Sequence, residues 1–169
     1  DCLLELLDKF VQGIPPAALK WAVTSATGEE WKEMDDRTIQ RLKTSLAPAG
    51  SRKRKLTAFR LNDSGLDAPG YSFELVGRPN DVDLPDAVTL VQMTFPLTAL
   101  QEENIASFVS QARGFAELLP FASGYCGPAL LSSEFHRGQA FKEIRVLAAH
   151  HPGYDVQLNN TTRIDIGIR

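Results

Sequence analysis

The sequence predicts an α+β fold: a mainly antiparallel sheet of about five to six strands with helices packed on one face. Three observations predict it. The stretches Leu56–Leu61, Tyr71–Val76 and Ala87–Phe95 are alternating or apolar, and only polar, turn-forming segments join them. Strands connected in that way fold back beside their predecessors as an antiparallel meander. Apolar residues at helical spacing lie before and after this block, so helices flank the strands instead of alternating with them. Finally, 169 residues with 43% hydrophobic and 23% charged content suit one domain with its own core, on the usual scale of about 100–200 residues per domain.

Taken in order, Leu3, Leu6, Leu7 and Phe10 mark one face of a first helix, with Glu5, Asp8 and Lys9 elsewhere on its surface. Gly13 and Pro15-Pro16 stop it. Ala18–Ser25 reads as a strand with Trp21 and Val23 on one face, a short helix being the alternative. Asp35 or Asp36 caps a second helix whose Ile39, Leu42 and Leu46 share a face. Ala87–Phe95 is the most apolar strand, which places it centrally in the sheet.

A capping-box pair, Thr98 and Gln101, opens a helix that runs to Leu119. Its predicted buried stripe is Ile105, Phe108, Val109, Ala112, Phe115 and Leu119. Gly114 lies in that stripe, where another element packs closely. A strand from Ala122 to Leu131 follows, with Gly124, Gly127 and Pro128 marking a bulge or an edge. Gly138–His150 is the next helix, with Phe141, Ile144 and Leu147-Ala148 inside. Arg163–Ile168 alternates as a last strand.

Bulk properties exclude some functions. A net charge of −3 disfavours a direct nucleic-acid binder. No apolar run approaches the roughly 18–20 residues that cross a bilayer. Cys2 and Cys126 read as free thiols in a reducing compartment, because disulfide frameworks use more cysteines in shorter chains. The chain opens at Asp1-Cys2 without Met and already in a helical pattern, so residues are expected before it.

Catalytic signals are weak. His150, His151 and Asp155 resemble half of a zinc or iron site. Adjacent histidine side chains diverge, however, and Pro152-Gly153 mark a helix stop followed by a turn. Cys126 is a conceivable thiol nucleophile, but between Tyr125 and Gly127 in an apolar strand it reads as a buried core residue. No phosphate-binding glycine loop or nucleophile-elbow motif occurs. No cofactor is implied.

Charge is distributed unevenly. Asp63, Asp67, Glu74, Asp81, Asp83, Asp86, Glu102 and Glu103 face a single base, Arg78, between Asn62 and Glu103. Arg52, Lys53, Arg54, Lys55 and Arg60 form the opposite, basic patch just before. Glu29, Glu30 and Glu33, with Asp35 and Asp36, make a second acidic patch. Either patch is a solvated surface or a docking site for a protein with a phosphate-binding, basic cleft.

One set of residues carries a resemblance. Leu119-Pro120-Phe121, Gly124-Tyr125 and Gly127 are followed by His151-Pro152-Gly153-Tyr154-Asp155 and then Gly167. Together they resemble a bacterial family of type VI secretion immunity proteins associated with VRR-NUC nuclease effectors. The resemblance covers roughly Trp21 onward. It implies a single immunity-type α+β domain over residues 1–169, whose ends are either trimmed or diverged relative to the family pattern. It further implies a cytoplasmic, non-enzymatic protein that binds a cognate effector toxin and blocks its active site. On this basis Gly124, Tyr125, Gly127, His151, Pro152, Gly153 and Asp155 are expected to determine the fold. The charge pattern nominates Asp81, Asp83, Asp86, Glu29, Glu30 and Glu33 as the toxin contacts. The alternatives are a small enzyme using Cys126 or His150/His151/Asp155, and an adaptor domain whose partner is not a toxin.

Overall fold

The structure, a computed structural model, describes residues 2–24, 30–46, 57–65, 68–77, 89–100, 105–120, 123–124, 126–131 and 137–157. Helix α1 spans Cys2–Gln12, strand β1 Trp21–Thr24, strand β2 Lys32–Glu33 and helix α2 Asp36–Leu46. Strands β3 (Thr57–Asn62), β4 (Ser72–Gly77) and β5 (Leu90–Thr94) follow. A 3-10 turn at Leu97–Leu100 precedes helix α3, Ile105–Ala116. Strand β6 (Ala129–Leu131), helix α4 (Arg137–His150) and strand β7 (Asp155–Gln157) complete the order. The fold is α+β, as the sequence predicts.

The chain divides into two compact units. The first, Asp1–Gly65 with Gly70–Ala122, holds a five-stranded antiparallel sheet in the order β2-β1-β3-β4-β5. The predicted meander is β3-β4-β5, each strand shifted by a residue or more from its predicted ends. β5 is an edge strand, contrary to the expectation that the most apolar strand is central. Its apolar residues serve one face: Val91 and Met93 pack on the core, while Leu90 is 40% exposed. The central places go to β3 and β4. The sequence reading also lacked β2, which is too short to show a period.

Register gives the sheet two unlike faces, because side chains alternate along each strand. One face carries Ala22, Phe59, Leu61, Phe73 and Leu75, all buried. Helix α1 lays Leu6, Leu7 and Phe10 on this face, α2 adds Leu42 and Leu46, and α3 adds Phe115. Each such side chain contributes about 1.5–3 kcal/mol on burial. Aromatic rings tie the layers together. Phe10 lies 5.3 Å from Phe73 and 5.4 Å from Phe95, and Phe95 in turn meets Tyr71, Phe108 and Phe115.

The helices are fixed locally. The Gly13 amide donates to the Lys9 and Phe10 carbonyls and closes α1. Asp35 caps α2: the Thr38 hydroxyl donates to its carboxylate and the Thr38 amide to its carbonyl. That hydroxyl bond, aided by the nearby Arg41 charge, holds the Asp35 carboxyl below the ordinary value of 3.8. Lys43 of α2 pairs with Asp8 of α1. Gly114 does mark a close approach, because the Lys9 ammonium donates to its carbonyl at 3.0 Å. Of the predicted α3 stripe, Phe115 is buried and Phe108, Ala112 and Leu119 are partly buried, but Ile105 is 48% and Val109 43% exposed, a correction at those two positions. α3 is also shorter than predicted, so its apolar spacing overstates the face it buries.

The second unit comprises Leu66–Pro69 and Ser123–Arg169. Strands β6 and β7 pair in parallel, with Ala129 opposite Asp155 and Leu131 opposite Gln157. The predicted strand from Ala122 is reduced to three residues. Asp155 begins a strand where a turn residue was expected. Helix α4 matches its predicted span, yet only Ile144 is buried among its described side chains, with Phe141 47% and Leu147 44% exposed. The predicted strand Arg163–Ile168 lies outside the described residues.

Candidate functional site

The second face of the five-stranded sheet buries Val23 and Asn62 but lies outside the main apolar cluster, and its composition is the informative one. Register aligns Glu33, Trp21, Asn62, Ser72 and Thr94 in one row. Val23, Arg60, Glu74 and Gln92 form the next, and Ala58, Val76 and Leu90 the last. The Arg60 guanidinium lies 5.2 Å from the centre of the Trp31 ring, a cation–π contact. Glu74 is the register partner of Arg60 on β4. Ser72 and Thr94 share a 2.6 Å hydroxyl hydrogen bond across β4 and β5. A shallow cavity of about 140 Å³ indents this face, lined in part by Val23, Ala58, Arg60, Glu74 and Val76.

Asn62 is the one buried polar residue among those described, 5% exposed, and its Oδ1 has no hydrogen-bond partner. Alternation puts it on the outer face, beside Trp21, whose ring packs against Gly65 at under 3.2 Å from where a Cβ would stand. An unpaired buried carbonyl costs about 1–3 kcal/mol.

The helix side of this unit is nearly balanced in charge: Lys9, Arg37, Arg41 and Arg113 are exposed against Glu5, Asp35 and Glu117, and Asp8–Lys43 is neutral as a pair. Lys32 also belongs to that side, since it pairs with Ala22. The outer face instead carries Glu33 and Glu74 against Arg60.

Of the nominated toxin contacts, Glu30, two residues before β2, and Glu33, the last residue of β2, are exposed. Glu29, Asp81, Asp83 and Asp86 lie outside the described residues, as does Tyr125. The connection carrying the three aspartates leaves β4 at Gly77 and enters β5 at Leu90, the end of the sheet where Val76 and Leu90 are paired. Sequence reasoning missed Trp31, and it counted Arg60 and Glu74 in opposite charge patches without pairing them. The alternation of β3 and β4 puts Arg60 and Glu74 opposite the core, but their pairing follows only from register.

The signature residues fall in the second unit. Gly124 and Gly127 are exposed, and so are His151, Pro152 and Gly153. The predicted helix stop and turn are present: the His151 amide donates to Leu147 and the Tyr154 amide to His151. The His151 and Tyr154 rings are 5.3 Å apart. Cys126 is exposed, which corrects the expectation of a buried thiol, because it precedes β6 instead of lying within a strand. Cys2 and Cys126 are both free. Among the described residues no three His, Cys, Asp or Glu side chains come together as a metal site, and no helix is long and apolar enough to cross a membrane.

Comparison with known proteins gives one match. The family described as TsiV, type VI immunity for VRR-NUC, matches residues 2–167. No curated protein and no solved structure matches the chain. The match spans both units, and the chain belongs to this family of type VI immunity proteins.

Proposed function

We propose that this member of the type VI immunity family neutralises its cognate effector by binding it as a protein inhibitor. The family match over residues 2–167 carries the reading. The effector is a nuclease of the VRR-NUC type, and the chain occludes its active site in the cytoplasm of the cell that makes both. It acts as one immunity-type domain and as a binder, with no chemistry of its own and no direct contact to nucleic acid. A nuclease holds its substrate through phosphate charge, so its cleft is basic. Acidic side chains suit such a cleft and steer association. Glu29, Glu30 and Glu33 with Asp81, Asp83 and Asp86 are the proposed contacts.

The test is direct. Co-expression with the cognate effector restores growth that the effector alone abolishes, and purified protein suppresses cleavage of DNA at stoichiometric amounts. Charge reversal of Asp81, Asp83 and Asp86 together weakens binding and flattens its salt dependence. Unchanged binding in that variant removes the segment from the interface. No growth protection and no complex with the wild-type chain overturns the immunity reading itself. No specific observation favours the small-enzyme or adaptor alternatives.

A further inference from the structure

We infer that β6, α4 and β7 open together by local unfolding while α1 and the five-stranded sheet stay folded. Burial within each unit carries this, independently of the immunity reading. Among the described residues, every side chain of the main apolar cluster, and every one packed against it, belongs to the first unit. Ile144 is the one buried side chain described in the second. Along α4, Phe141, Val146 and Leu147 are exposed, and so are Lys142, Glu143 and Arg145.

Magnitudes turn that contrast into a difference in opening free energy. Ordering one residue's backbone costs about 1–2 kcal/mol, and full burial of a large apolar side chain returns about 1.5–3 kcal/mol. Helix α1 orders 11 residues and has Leu6, Leu7 and Phe10 at 0% exposed. Helix α4 orders 14 residues and buries Ile144 alone among its described side chains. A helix of that length is marginal in water without tertiary packing, the limit for isolated helices being about 12–15 residues. The strands beside it add little: β6 and β7 have three residues each and pair in parallel, and a two-stranded pair is marginal by itself. Segments with few buried apolar side chains open at the low end of the free-energy range. Opening is cooperative because β7 is the partner of β6 and α4 is the connection between them. The His151-Pro152-Gly153 turn joins α4 to β7, so it lies inside the part that opens.

The test is native-state hydrogen exchange on the purified full chain, read residue by residue by NMR at urea concentrations below the global transition. Relative to unfolded rates, the best-protected amides of α4 are expected to exchange at least about 10-fold faster than the best-protected amides of β3 and β4. Ile144→Ala is expected to speed exchange in α4 further and to leave β3 and β4 at their wild-type protection. The proposal is overturned when the best-protected amides of α4 and of the two central strands differ by less than about 10-fold. It is equally overturned when Ile144→Ala lowers protection in both units alike, because the chain then opens as one cooperative body.

Discussion

In the first unit, Phe10, Leu61, Phe73 and Leu75 are below 2% exposed. In the second, α4 places Phe141, Ile144 and Leu147 three residues apart, yet Ile144 alone among its described side chains is buried. Spacing therefore says which residues share a face and not how deeply that face is covered. Depth comes from what lies opposite. Each inward residue of β3 and β4 has sheet neighbours on both sides and shares one buried cluster with residues of α1, α2 and α3. The contrast also separates two kinds of information. Most of the residues that carry the family resemblance lie in the second unit, and its glycines and the His151-Pro152-Gly153 turn that are described are exposed, whereas the residues that carry the packing lie in the first.

The largest effect that tests this contrast is a core truncation. Phe73→Ala removes a ring that contacts both Phe10 and Phe59. A buried Phe→Ala change costs about 3–5 kcal/mol, a large share of the roughly 5–15 kcal/mol that holds a domain together. Phe141→Ala in α4, nearly half exposed, is expected to cost well under half as much. Urea titrations followed by circular dichroism compare the two. Equal losses would mean that α4 buries its stripe as fully as α1 does.

Next comes a substitution that adds volume. A Cβ at Gly65 would stand 2.8 to 3.1 Å from the ring atoms of Trp21, which is partly buried and has no flexible end to retreat. Gly65→Val is expected to destabilise by about 1–3 kcal/mol, the usual cost of overpacking. Indole fluorescence in the same titration reports whether the Trp21 environment changes. A variant as stable as wild type would show that the Trp21 side of the outer face yields easily, unlike the core face.

Much of this architecture was legible in the sequence. The period-two alternation of Tyr71, Phe73 and Leu75 and the helical spacing of Leu6, Leu7 and Phe10 required no tertiary information. Strand order was not legible in the same way. The apolar run ending at Phe95 looks central, but whether a strand lies at an edge depends on which partners the rest of the chain supplies. β2 has two residues, too few for any period. The outer-face cluster stayed hidden for a related reason. Trp31 and Arg60 are separated by nearly thirty positions, and only the antiparallel pairing of β2 on β1 and of β1 on β3 makes them neighbours. Cys126 was misplaced because an apolar context in sequence was taken as burial in space.

Two smaller effects probe local conformation in the well-packed unit. Ala17 has a φ of 57°, a left-handed conformation that costs a residue with a Cβ roughly 1 kcal/mol or more. Ala17→Gly relieves that strain, and the greater freedom of glycine when unfolded offsets part of the gain. A net stabilisation of up to about 1 kcal/mol is expected, read as a raised thermal midpoint. Smaller again is the cap of α2. Because the folded Asp35 carboxyl titrates below 3.8, its contribution is complete above that value and fades as pH falls through the lower folded one. Asp35→Asn is therefore less stable than wild type at pH 7, and the two converge in acid below pH 3.8. A difference that persists unchanged at pH 2 would mean that the charge of Asp35 plays no part in the cap.

The smallest effect is the most instructive for the second unit. A Cβ added at Gly153 meets nothing within 4 Å, so Gly153→Ala is expected to change stability by no more than about 0.5 kcal/mol. A loss of several kcal/mol would restore the expectation that this turn determines the fold. A neutral variant that nevertheless fails to protect cells from the effector would move His151-Pro152-Gly153 from the fold to the interface. Exposure of His151, Pro152 and Gly153 leaves that surface accessible, so stability and protection measured on one variant separate the two roles that the resemblance alone joins.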